Sequence, residues 1–170
     1  IQAFSKHKDR IFTISAERQM RISRYWSRYD TANAKVQEDS SSKILALQEL
    51  VKLGVDLSNV NLRNVDLTGI DFSGASLNGT NLIGANLIGA NLSNADMSRA
   101  NLSNANLRGA KLNKTDFTGA TMNDTNLSAA DLSDAQLKAA ILSDVNLENA
   151  NLNRTNFKNA QIHSAKLNDE

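Results

Sequence analysis

The chain has 170 residues, 41% of them apolar and 22% charged, with a formal net charge of +1. That is ordinary for a soluble globular chain of one domain, or one domain with an appendage. It contains no cysteine and no proline, which excludes a disulfide framework and a cysteine-rich zinc site and removes the usual marker of linkers.

No stretch approaches the roughly 18 apolar residues of a membrane span, and nothing reads as a signal peptide. The expected location is therefore cytoplasmic. The chain begins at Ile1 without a methionine, as a fragment or processed product would, and membrane association through an anchor upstream stays open.

Residues 1–40 read as a basic amphipathic helical segment. On a helical projection Ile11, Ile14, Ile22, Tyr25, Trp26 and Tyr29 fall within one arc, and Arg21, Arg24 and Arg28 lie along its edge. Residues 1–54 carry 10 basic and 6 acidic side chains, a net +4, against 9 and 12, a net −3, for residues 55–170. Arg21, Arg24, Trp26 and Arg28 are the candidate N-terminal contact, and three readings compete for them. The helix could pack along the rest of the protein or against a second copy, which suits the burial that Trp26 and two tyrosines want. It could attach through residues 1–38 to an anionic membrane surface. Nucleic acid is the weakest partner, because so short an interleaving of arginine and aromatics is not specific.

Residues 41–54 predict a cap helix. The apolar run SKILALQELVKL follows serines able to N-cap it and stops at Gly54, a suitable C′ residue. Ile44, Leu47, Leu50 and Val51 form its apolar side, expected to cover the first coil of the region that begins at residue 55.

From residue 55 to 170 a five-residue frame never slips. Its centres, from Leu57, Leu62, Leu67 and Phe72 to Phe157, Ile162 and Leu167, are 23 large apolar residues. Two places before each stands a small or β-branched residue. Neither a straight helix nor a straight strand can use this period: in a helix the centres would scatter around the axis, and in a strand they would alternate between faces. The chain must turn once per repeat. The fifth position carries seven of the eight glycines and many asparagines and aspartates, which tolerate the positive φ of a type II turn. A chain that turns the same way every five residues, with its leucines always inside, winds into a solenoid. The similarity of LNKTDF at 112–117 to LNRTNF at 152–157, forty residues apart, suits two turns of a 20-residue, four-sided coil.

Repeats such as Ala90-Asn91-Leu92-Ser93-Asn94 and Ala130-Asp131-Leu132-Ser133-Asp134 resemble the pentapeptide repeat family, and YWSRY followed by ALQEL resembles cyanobacterial members. The resemblance implies an all-β solenoid, the right-handed quadrilateral β-helix, here of about six coils and about 27 Å of shaft at the usual strand spacing. Leu57, Leu77, Met97, Leu107, Phe117, Leu137 and Phe157 are then structural core.

For function, the expectation is a non-enzymatic scaffold or protein-interaction module with an unknown protein partner. Homodimerisation through a helix or through the open C-terminal coil is left open. His7 and His163 lie far apart in sequence, and the serines fall mostly on a convex surface, so no catalytic, cofactor or metal site is assigned. Stacked carboxylates, Asp124 over Asp144 and Asp96 over Asp116, read as a solvated face. The resemblance also brings an alternative, since some members modulate DNA gyrase by imitating duplex DNA. Twelve acidic residues diluted by nine basic ones fit poorly with one negative charge per about 1.7 Å of duplex. A membrane-surface-attached interaction domain, held by the basic helix, is the other alternative. The candidate interaction surface is Ile83, Ile88 and Ile141, outward-facing departures from polarity.

Overall fold

The computed structural model describes residues 16–34 and 40–168, and the chain forms two compact units, Ile1–Asp56 and Leu57–Glu170. In the first, α1 spans Ala16–Ala34 and α2 spans Ser40–Lys52. The two helices pack on each other. Ile22 and Trp26 on α1 and Ala46, Leu47 and Leu50 on α2 are buried, whereas Ile44 and Val51 are half-buried. Ile11, Ile14, His7 and the side chain of Tyr29 lie outside the described residues. No helix among the described residues is long and apolar enough to cross a membrane.

The end of α2 is set by Gly54, whose φ of 65° is natural only without a β-carbon. Its N–H donates to the Val51 carbonyl at 2.8 Å and the Val55 N–H to the Leu50 carbonyl at 3.0 Å. These are the paired bonds of a Schellman motif, which satisfy carbonyls left open by the last turn. The Arg18 guanidinium of α1 donates to the Leu53 carbonyl beside it, a link between the helices that does not depend on apolar contact.

In the second unit every repeat makes one turn. The Val60 N–H donates to the Leu57 carbonyl at 3.2 Å, and Asn59 between them has φ 61°. All 22 corner residues at five-residue steps from Asn59 to Ser164 have positive φ, which a type II turn requires of its third residue. Parallel bridges run Asn61 to Asn81, Asn81 to Asn101, Asn101 to Thr121 and Thr121 to Ile141. Four repeats therefore complete one coil, and residues 20 apart stack. Most strand contacts are single bridges. Among the described residues only β1 (Ile141–Ser143) and β2 (Gln161–His163) pair over three residues, in parallel register Ile141 to Gln161.

One repeat shows why the winding is stable. In Ala105–Gly109 the Ala105 N–H closes the turn on the Leu102 carbonyl at 2.9 Å, and the Asn106 N–H reaches the Ala85 carbonyl of the preceding coil at 2.9 Å. The N–H groups of Leu107 and Gly109 reach Asn126 and Ser128 of the next coil at 2.7 and 2.9 Å. The fifth, from Arg108, donates to the side-chain Oδ1 of Asn106 at 3.2 Å. All five backbone donors are satisfied, as buried or half-buried amides must be.

The central residues from Leu57 to Leu142 are fully buried and Leu147 nearly so, with a second inner layer of mostly alanine. Threonine enters this layer without leaving a polar group unpaired: the hydroxyls of Thr115 and Thr125 donate to the carbonyls of Leu92 and Leu102 in the preceding coil, at 2.7 and 2.9 Å. Phe157 departs from the expected core. It and Leu152 are half-buried, and Ile162 and Leu167 are 44% and 57% exposed, because no coil of the described residues lies over them.

Candidate functional site

Three positions per repeat point outward: the residue before the central one, the residue after it, and the corner. The first is committed to architecture. In fifteen repeats an asparagine or aspartate there accepts the N–H two residues on, as Asn81 does from Ile83 (3.2 Å), Asp116 from Thr118 (2.8 Å) and Asn146 from Glu148 (2.9 Å). This Asx bond supplies the acceptor that no backbone carbonyl offers. The same side chains also link coils: Asn91 Nδ2 donates to Asp71 at 3.1 Å and Asn151 Nδ2 to Asp131 at 2.9 Å.

Of the carboxylate pairs noted in the sequence, Asp96 and Asp116 do stack, but each spends an oxygen on its own repeat, accepting from Ser98 at 3.0 Å and Thr118 at 2.8 Å. Asp124 and Asp144 are exposed at a corner. Among the described residues no three or more histidines, aspartates or glutamates gather as metal ligands would.

The three candidate isoleucines do not form one patch. Ile88, after the central Leu87, is 37% exposed. Ile83 occupies the equivalent place on the neighbouring face and is half-buried. Ile141 precedes its central leucine, in the Asx column, and is half-buried within β1. It shares the face of Ile83 but sits three coils on, about 14 Å along the shaft. Without an Asx side chain at 141, the Ser143 N–H turns to Asn123 Oδ1 of the preceding coil at 3.3 Å. Ile141 thus belongs to coil-to-coil packing, and Ile88 is the candidate that reaches solvent.

A charged pair that sequence reasoning missed lies at another corner. Arg154 grips Asp134 one coil below with two bonds, Nε to Oδ1 at 2.6 Å and Nη2 to Oδ2 at 2.7 Å. The guanidinium bond from Arg154 is the main cause that holds the Asp134 carboxyl below its ordinary range; desolvation opposes it, and the positive charges of Arg154 and Lys114 add smaller lowering effects. The signal was present in the sequence as opposite charges 20 residues apart at corner positions.

In the N-terminal unit the candidate contact divides. Arg21, Arg24 and Arg28 are exposed, but Trp26 is only 3% exposed and Tyr25 half-buried. Trp26 is therefore a packing residue, unavailable as an interfacial anchor, because its ring is already buried in the chain's own fold.

The five-residue frame, the 20-residue stacking and the Asx column together define the repeat. A family model described as pentapeptide repeats, in eight copies, matches residues 56–94, 95–134 and 130–169. The chain belongs to the pentapeptide-repeat family. Membership supplies the hand of the coil, a right-handed β-helix. Solved structures that this pentapeptide-repeat protein resembles include Rfr23 from the cyanobacterium Cyanothece 51142, at 27% identity over 66% of this chain and 88% of that one, with a TM-score of 0.45. Another is the pentapeptide repeat protein alr5209 from Nostoc PCC 7120, at 31% identity over 69% of this chain and 94% of that one, TM-score 0.34. A third is QnrB1, a plasmid-mediated fluoroquinolone resistance protein, at 22% identity over 61% of this chain and 60% of that one, TM-score 0.29. Comparison with curated proteins returned no match. At these TM-scores the superpositions add nothing to what the repeats themselves establish.

Proposed function

We propose that this pentapeptide-repeat protein is a non-enzymatic scaffold that presents flat, rigid faces to a protein partner. The observation that carries the reading is the division of labour within each repeat. Backbone donors and the Asx column are engaged in closing the turns and joining the coils, as in Ala105–Gly109, so recognition is left to the side chains after the central residue and at the corners. Such a surface is selected for shape and spacing, with no concavity needed to gather a nucleophile and a base.

Ile88 is the natural test position because it is apolar and exposed where every other repeat except that of Ile83 carries a polar or charged residue. Affinity capture with the full chain is expected to lose its partner, by tenfold or more in retained amount, on Ile88→Lys at an unchanged melting temperature (about 1.4 kcal/mol or more of binding). Equal capture by the variant removes this face from consideration.

Imitation of DNA is the competing reading, and charge argues against it. The repeats carry a net −3, Asp134 is neutralised by Arg154, and the cations Arg99, Arg108, Lys111 and Lys138 are exposed on several faces of the shaft, where a DNA-binding protein would meet like charge. The scaffold reading expects DNA gyrase supercoiling to proceed unaltered when this protein is added. Inhibition or protection of gyrase would replace the scaffold reading with mimicry.

A further inference from the structure

The arginine row of α1 is the charged feature that the scaffold reading leaves unused. Arg21, Arg24 and Arg28 are exposed and, at helical spacing, fall within an arc of about 60° and form a row about 10 Å long. Met20, 64% exposed, stands one turn before Arg24 at the edge of the row. The opposite side of the helix, with Ile22 and Trp26, is buried.

We infer that this row docks the N-terminal unit on an anionic lipid surface, peripherally, with the guanidinium groups against headgroup phosphates and Met20 at the interface. The inference goes beyond the scaffold reading and does not rest on it. Three observations select this partner. A narrow, straight row matches a plane, which supplies anions everywhere along it without one-to-one alignment. A partner protein would have to align carboxylates with each arginine, and isolated exposed ion pairs contribute little. Single-stranded nucleic acid would want aromatic faces for stacking, and here Trp26 is buried and Tyr25 half-buried. The buried Trp26 also defines the mode of binding. The helix does not sink its apolar face into the bilayer as an interfacial helix does, so attachment is electrostatic and reversible.

Each arginine near an anionic leaflet is worth about fivefold in partitioning, and three together on the order of 100-fold. The test is cosedimentation of the full chain with phosphatidylcholine vesicles with and without phosphatidylglycerol, at low and high salt, beside retention on duplex DNA. Expected are binding only to vesicles that contain phosphatidylglycerol, its release by salt, and a loss on the order of 100-fold when Arg21→Gln, Arg24→Gln and Arg28→Gln are combined. Circular dichroism and the melting temperature of that variant should match the parent, since the three side chains are exposed. Glu17→Gln, which removes an acid one turn before Arg21, should strengthen binding severalfold. Equal binding to pure phosphatidylcholine, unchanged binding by the triple variant, or retention on DNA without binding to vesicles would each overturn the inference.

Discussion

Every corner residue of the β-helix must hold a positive φ, and different residues meet that demand at different cost. Glycine does so freely, and asparagine and aspartate with little strain. Ala129 and Ala139, with φ 56° and 54°, have neither advantage, because an L-residue in this region is strained by about 1–2 kcal/mol. Replacing either with glycine relieves the strain and adds about 0.4–1 kcal/mol of unfolded-chain entropy. Ala129→Gly and Ala139→Gly should therefore each stabilise by roughly 0.5–1 kcal/mol, read as a rise of about 2 °C in melting temperature. Gly84→Ala should do the reverse, since its added β-carbon would also strike Asn64 Oδ1. The corner pair Asp134–Arg154 makes a pH prediction. Its carboxyl titrates below the ordinary range, so what the pair contributes is present above the ordinary aspartate value and lost as pH falls through the lowered one. Arg154→Gln removes the guanidinium bond and its charge and leaves desolvation, which raises the carboxyl, against the weaker field of Lys114. The Asp134 titration, followed by carboxyl carbon NMR, should then move up into the ordinary aspartate range. What was legible here divides by mechanism. Positive φ at glycine, asparagine and aspartate corners could be anticipated from backbone sterics alone. Strained alanine, arginine and lysine corners could not, because there the geometry is imposed by the coils above and below.

At the scale of the element, burial depends on position along the shaft. Leu107 is fully enclosed and Leu167 is 57% exposed, although both are centres of the same repeat pattern. Leu107→Ala should cost about 2–5 kcal/mol and Leu167→Ala less than about 0.5 kcal/mol, measured by thermal or denaturant melting. Leu107→Asp, which places an unpaired charge in the core, should unfold the array. Equal losses at 107 and 167 would mean that the centres are not packed as described. The inward direction of the leucines could be read from the period, and the four-sided stacking was foreshadowed by LNKTDF and LNRTNF. The purpose of the residue before each centre was not, since an Asx bond to the N–H two residues on becomes visible only when that N–H is seen to lack a backbone acceptor. In α1 the apolar arc with Trp26 was legible but what it served was not: an amphipathic pattern fixes which side is hidden and leaves open what hides it.

At the scale of the whole molecule, the two units are stabilised by different physics, and their behaviour should differ accordingly. The α1–α2 pair depends on a few buried side chains and one Schellman end. The shaft is quasi-one-dimensional: each coil's backbone donors close on the coils before and after it, so protection against exchange should depend on having neighbours on both sides. Leu92 and Leu107 donate to carbonyls of the following coil at 2.8 and 2.7 Å. In the 170-residue chain the residues beyond Leu147 lie in coils that are half-buried or exposed. Hydrogen exchange should thus show its slowest amides in the middle repeats, around 85–130, and progressively faster exchange from Leu152 to Leu167. If the last repeats were instead as protected as Leu107, something other than this chain's own coils would have to cover them, and the same chain should then sediment as a larger species. If the middle repeats exchanged as fast as the last ones, the stacking itself would be cooperative over less than a coil, contrary to a backbone network in which each N–H of Ala105–Gly109 has a partner.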